Sequence, residues 1–203
     1  SQTTNDVTPT ITGTAEANAT VTVTVNNATY TTTADGSGNW SITTATLPSG
    51  TYSVTATATD AAGNTSAAGT GNLVIDTTAP TVVLTHSGSD LIVRDADTET
   101  ITATFSEAMT VAPTITITLS NGTTITAAPL SGSGTTWTYA WDVPAGSDGT
   151  ATVTVAGTDL AGNAYAGSDN LVFTIDNTAP STPVVNSQTT NDVTPTITGT
   201  AEA

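Results

Sequence analysis

The sequence contains no cysteine and no lysine, and its only arginine is Arg94. Without cysteine there are no disulfides, and without lysine there are no intramolecular Lys–Asn isopeptide bonds, so neither covalent staple of small extracellular domains is available. One arginine against 17 acidic residues gives a formal charge of −16. That balance excludes nucleic acid as a partner, because phosphate binding needs clustered cations that release counterions. It disfavours anionic membrane surfaces for the same reason. No segment approaches the roughly 18 consecutive apolar residues of a membrane span. The N-terminus has no basic stretch followed by an apolar one, as expected of an internal piece of a larger protein. Nowhere do apolar residues recur with the 3.6-residue period of a helix.

What is present is a repeat. Residues 1 to 17, SQTTNDVTPTITGTAEA, recur identically as residues 187 to 203, an offset of 186 residues. A weaker repeat of about half that length lies inside it. GSGNW at 36–40 answers GSGTTW at 132–137, and LPSG at 47–50 answers VPAG at 143–146. TDAAGN at 59–64 answers TDLAGN at 158–163, and IDTTAP at 75–80 answers IDNTAP at 175–180.

Between these landmarks, TVTVTV at 20–25, TYSVTATAT at 51–59, TITITL at 114–119 and TATVTVAGT at 150–158 alternate apolar and hydroxyl residues. A period of two built on β-branched Thr and Val is the pattern of half-buried strands, and turns such as NN, DGSGN and PSG separate them. The fold class that follows is all-β: tandem immunoglobulin-like β-sandwich domains in an extended array, with Trp40, Trp137 and Trp141 as core anchors. Residues 181–186 (STPVVN) read as a strand A and residues 193–201 as a strand B, so the chain opens in an A–B loop. The expected domains are 1–79, lacking its first strand; 80–180, a variant of the same type; and 181–203, the first two strands of a third.

This strand assignment decides which acidic residues meet. Glu16 and Glu107 follow strand B, while Asp60 with Asn64 and Asp159 with Asn163 occupy F–G loops at the same pole. Asp76 and Asp176 end strand G at the opposite pole, where Asp6, Asp95 and Asp97 lie in A–B loops, and Glu202 repeats Glu16 one period on. End-to-end stacking brings Asp76, and with it Asp6, towards Glu107, Asp159 and Asn163. Converging carboxylates with no cation among them repel. Ca²⁺ reverses that sign, taking about six to eight oxygen ligands in flexible geometry, whereas Zn²⁺ and Cu²⁺ favour His and Cys. Turn formation is the competing reading, since Asp and Asn favour turns and DxAGN alone makes one. Recurrence at the poles of both domains favours Ca²⁺.

TPTITGTAE, the Gly-Asn-Trp hairpin, GTYSVTATATDAAGN and the linker DTTAP resemble the bacterial immunoglobulin-like repeats of giant biofilm-associated and RTX-type surface adhesins. The resemblance covers essentially the whole chain. The second domain, with FSEAMT and RDADTET, departs most from the pattern. The resemblance implies a secreted stalk at the bacterial cell surface, rigidified by Ca²⁺, that supports adhesion and biofilm formation. Its partners are neighbouring repeats of the same chain, with the tip ligand outside this segment and no membrane insertion within it.

Other functions find less support. His86, the only imidazole, is expected at a strand end on the surface, and no nucleophile arrangement surrounds it. Gly-containing loops lack the following helix and Lys of a phosphate cradle. Thr-x-Thr strands could present hydroxyls to ice or carbohydrate, yet exposed Thr is also simply a good strand residue. A filament subunit assembled by head-to-tail strand exchange is the remaining alternative, the tail offering a strand A that the head lacks.

Overall fold

The computed structural model describes residues 1–201, and every regular element among them is a β-strand. No helix long and apolar enough to cross a membrane occurs among the described residues. The first seven strands are β1 (Gln2–Thr4), β2 (Thr10–Thr14), β3 (Thr20–Val25), β4 (Ala28–Thr33), β5 (Asn39–Thr43), β6 (Gly50–Thr59) and β7 (Gly69–Ile75). One sheet has the order β1-β7-β6-β3-β4, and β2 pairs with β5 to form the facing sheet. Alternation decides the packing: Val21, Val23 and Val25 of β3 point inward and are almost fully buried, while the intervening threonines face outward or sit half-covered. The β3–β4 hairpin closes on Asn26 and Asn27, both at positive φ (49° and 60°), with Val25 opposite Ala28. That is the two-residue turn whose twist matches the flanking strands, and asparagine tolerates its left-handed backbone.

The second unit contains β8 (Val82–His86), β9 (Ile92–Val93), β10 (Thr98–Phe105), β11 (Thr114–Leu119), β12 (Thr124–Pro129), β13 (Ser131–Ser133), β14 (Thr136–Asp142), β15 (Gly149–Ala156) and β16 (Leu171–Ile175). Its sheets run β9-β16-β15-β11-β12 and β8-β10-β14-β13. Each unit has its own hydrophobic cluster. The first is built on Ile11, Val21, Val23, Leu73 and Ile75, the second on Ile101, Ile117, Trp141, Val153 and Phe173. Last come β17 (Val184–Val185) and β18 (Gly199–Thr200), which pair antiparallel and bury nothing.

Three expectations need correcting. Residues 2–4, expected in a loop, form β1, parallel to β7 with Thr3 opposite Val74. The β-branched pair Thr3–Thr4 takes the place that β9 takes beside β16 in the second unit. What the first unit lacks is a counterpart of β8: among the described residues β2 pairs only with β5, whereas β10 lies between β14 and β8.

His86 is not a free surface residue. Its side chain is 15% exposed, its Nδ1 lies 3.3 Å from Glu99 Oε2, and its ring meets Phe173 edge-on at 5.2 Å. Glu99, buried and unremarked in the sequence, also accepts hydrogen bonds from the Ser87 hydroxyl and the Gly88 N–H, both at 3.0 Å.

Trp137 and Trp141 are core residues, but Trp40 is only half-buried. Its ring lies so close over Gly13 that a Cβ there would fall 2.3 Å from it.

Candidate metal centre at the domain junction

The site begins with a local turn. In DLAGN, Asp159 Oδ1 accepts the N–H groups of Ala161, Gly162 and Asn163 at 2.8, 2.8 and 2.9 Å. Asn163 Nδ2 donates to Asp159 Oδ2 at 2.9 Å, and Gly162 supplies the positive φ (100°) that the turn requires. DAAGN in the first unit repeats this geometry. Asp60 Oδ1 accepts Ala62 and Asn64 N–H, and Oδ2 accepts Asn64 Nδ2 at 2.7 Å. Those bonds, the Asn64 side chain foremost, hold the Asp60 carboxyl below its usual range. The turn is therefore a property of the sequence.

Burial separates the two copies. Asp159 is 1% exposed, whereas Asp60 stays half-exposed and Asn64 is exposed. The first unit and the linker cover Asp159. Asn5 N–H donates to Ala161 O at 2.8 Å, Asp76 N–H donates to Thr4 O at 3.0 Å, and Asn163 Nδ2 donates to Asp76 O at 2.9 Å. From the other side the Thr110 hydroxyl donates to Asp159 O, and Met109 bridges Asp159. Thr81 and Ser106 exchange hydrogen bonds at 2.9 Å, which fixes the linker beside Glu107.

The outcome is that carboxylate oxygens of Asp76, Glu107 and Asp159 lie within 4.8 Å of one another. Asp76 comes from the end of β7, Glu107 from the loop after β10 and Asp159 from the loop after β15, so the group straddles the junction. Like charges at this separation repel by about 3 kcal/mol per pair at an effective dielectric of about 20. Glu107 registers the conflict: partial burial, then Asp76, then Asp159 push its carboxyl above its ordinary value. Arg94 is no remedy, since its Nε lies 3.8 Å from Asp97 at an exposed site. An all-oxygen donor set without His or Cys fits a hard divalent cation.

Of the other candidates, Asn163 belongs to the cluster as a brace, its amide N–H groups donating to Asp159 and to the Asp76 carbonyl. Asp6 turns away to accept Thr8 N–H at 2.8 Å. Its neighbour Asn5, which the sequence did not single out, lies against the DLAGN loop, 3.5 Å from where a Gly162 Cβ would be. The duplication of TTND at 3–6 and 189–192 was the available signal. Asp97 accepts Arg94 N–H within its own turn, whereas Asp95 accepts Gly146 N–H and so ties its loop to the one after β14. Asp176 accepts Thr178 N–H at 2.9 Å on the exposed tail. Glu16, Asp60 and Asn64 are among the residues that line an open groove of the first unit. Glu202 lies outside the described residues.

The comparisons agree with this architecture. Residues 1–77 match one bacterial Ig-like domain family and residues 76–175 match a second of the same description. The chain thus carries two bacterial Ig-like domains in tandem, the all-β class that its strand pattern defined. No curated protein matches it. Among solved structures, the fibronectin(III)-like modules of Clostridium thermocellum CbhA are similar at 17% identity, over 86% of this chain and 90% of that one, with a TM-score of 0.43. Tandem domains of this kind fit a surface or extender module.

Proposed function

We propose that this chain is a non-enzymatic extender segment of a large secreted bacterial surface adhesin, stiffened by Ca²⁺ bound between Asp76, Glu107 and Asp159. The observation that carries the reading is the convergence of three carboxylates from two domains with no cationic side chain beside them. Such a cluster opposes docking of the domains until a cation joins it, and then it favours docking. Asp76 ends the first domain while Glu107 and Asp159 belong to the second, so a shared ion restrains bending between them. Water completes the coordination that three side chains leave open. A rod stiffened in this way transmits tensile and hydrodynamic load from a tip to a cell surface, supporting adhesion and biofilm formation. The partners of each domain are then its neighbouring repeats, and the ligand is held elsewhere.

Calorimetric titration tests the site and small-angle scattering tests the stiffening. Ca²⁺ should bind the wild-type chain, and Asp159→Asn should weaken it at least tenfold. Scattering should report a more extended particle in Ca²⁺ than in EGTA. Identical profiles in the two buffers would refute the stiffening, and unchanged binding in Asp159→Asn would refute the assignment of the ligand.

A further inference from the structure

Five asparagines stand in the pattern Asn-x-Ser/Thr: Asn18, Asn27, Asn39, Asn64 and Asn121, all of them exposed. The pattern is the acceptor for N-linked glycans, the hydroxyl two residues on being recognised together with the reacting amide. In a chain so rich in threonine it also arises by chance, and the structure separates the five. Asn39 Nδ2 donates to Asp35 Oδ2 at 3.4 Å and Asn64 Nδ2 to Asp60 Oδ2 at 2.7 Å, so both amides are engaged in turns. Asn121 Oδ1 folds back to accept Thr123 N–H at 2.9 Å. Asn18 and Asn27 make no side-chain hydrogen bond among the described residues.

The residue two places earlier divides these two. Before Asn27 it is Val25, buried in the core, and before Asn18 it is Glu16, which is exposed. The bacterial form of the reaction requires Asp or Glu at that place, held by a charge-assisted contact to the transferase. Ser37, Ala62 and Leu119 stand there before Asn39, Asn64 and Asn121, so Glu16-Ala17-Asn18-Ala19-Thr20 alone has all three determinants. The backbone holds that segment outward. Ala19 N–H donates to Glu16 O at 3.1 Å, Asn18 N–H donates to Ala34 O at 3.1 Å, and Asn18 takes the left-handed conformation (φ 63°) that asparagine tolerates. Ala19 is buried beneath the turn, while Asn18 and Thr20 are exposed. The bond to Ala34 places Asn18 on the β4 side of the domain, away from the flank between β2 and β7. In the second domain Met109 follows Glu107 as Asn18 follows Glu16, and it is buried. The first domain meets the second through Ala161 and Asn163, not through Met109. A domain stacked in the same way on the first domain's pole therefore leaves Asn18 clear.

We propose that Asn18 is an N-glycosylation site, modified from a lipid-linked diphosphate oligosaccharide by a bacterial transferase that reads Glu16, Asn18 and Thr20 together. Asn18 Nδ2 attacks the anomeric carbon of the donor. The C–N bond forms as the bond from that carbon to the diphosphate oxygen breaks, Nδ2 gives up one proton, and the lipid diphosphate leaves with it; nothing is oxidised or reduced. Glu16 serves only while the glycan is transferred, so the modification is independent of what later stacks on this pole and of any cation bound at Asp76. Attached where β3 begins, the glycan adjoins the outward face on which Thr20, Thr22 and Thr24 stand opposite Thr33, Thr31 and Thr29. It adds hydration beside a sheet face whose threonines carry no charge to keep other surfaces away.

Mass spectrometry of the intact chain and of its peptides tests the site. The full chain is exported in bacteria that carry an oligosaccharyltransferase and a lipid-linked oligosaccharide with an N-acetylated sugar at its reducing end. It should gain one glycan, on Asn18, with Asn27, Asn39, Asn64 and Asn121 unmodified. Asn18→Gln should abolish the gain. Thr20→Ala, which leaves the turn and the amide in place, should abolish it too. Glu16→Gln should lower occupancy by about tenfold or more, the cost of one charge-assisted contact. Val25→Glu would bury a charge, so the acidic requirement is tested instead by Ser37→Glu, which should bring modification to Asn39. The chain isolated from the cells that naturally make it should yield the same glycosylated peptide. An unmodified Asn18 in that native chain overturns the proposal, whatever the reconstituted cells show. Occupancy of Asn27 equal to that of Asn18, or full occupancy in Glu16→Gln, overturns the role given to Glu16.

Discussion

Replacing Glu107 by Gln should change the stability of the second domain in opposite directions with and without Ca²⁺. Glu107 faces Asp76 and Asp159 with ligand oxygens within 4.8 Å. At an effective dielectric of about 20, each like-charge pair costs about 3 kcal/mol, and screening at the half-exposed Glu107 and Asp76 reduces the relief gained on neutralising Glu107 to about 1–2 kcal/mol. A domain of this size shifts its midpoint by about 4–8 °C per kcal/mol. In EGTA, Glu107→Gln should therefore melt roughly 4–16 °C above wild type by scanning calorimetry. In Ca²⁺ the order should reverse, since wild type gains about 2.7 kcal/mol from a ligand present at about 100 times its dissociation constant, and the variant, one charge short, gains less. Glutamine keeps the size and the acceptor oxygen, so packing differs little between the two proteins. A variant that melts below wild type in EGTA would show that the carboxylates are not in conflict. An equal rise on adding Ca²⁺ would show that the ion binds elsewhere.

The raised Glu107 carboxyl also sets a pH dependence. The folded protein holds this proton more tightly than the unfolded chain, whose carboxyl titrates near 4.5. As pH falls through the raised folded value towards 4.5, this group should add stability to the metal-free second domain while Ca²⁺ affinity declines, and Glu107→Gln should flatten both trends in melting and titration series. Asp159→Ala removes the acceptor of three backbone N–H bonds in a buried turn and should cost about 2–4 kcal/mol in urea unfolding in EGTA, while Asp60→Ala, in the same kind of turn but half-exposed, should cost clearly less. Equal costs would show that burial does not set the value of the turn. Glu99→Ala leaves His86, Ser87 and the Gly88 N–H without their shared acceptor and should destabilise the second domain by about 2–3 kcal/mol, with the first domain's transition unmoved.

The sequence determined those features whose causes are local. Alternating Thr and Val specify strands without help, as TITITL shows, which is read and observed over the same six residues. Asn26–Asn27 specify a hairpin because their backbone preference selects the turn. DxAGN specifies its own hydrogen-bonded loop, and so Asp60 and Asp159 share one geometry. Tertiary structure decided everything that depends on who covers whom. Asp159 is buried and Asp60 is not, although their sequences are nearly the same, because a preceding domain packs on one loop and an open groove adjoins the other. The role of Asn5 over Asp6, the half-covered Trp40 above Gly13, and the burial of Glu99 against His86 carry no periodic signal, being contacts between residues distant in the chain. The strand β1 is of this kind too, since three residues acquire a strand's conformation only from the edge they meet. Strand order and end-to-end stacking already placed Asp76 towards Glu107 and Asp159, but their close spacing and unequal burial were set by how the two domains dock.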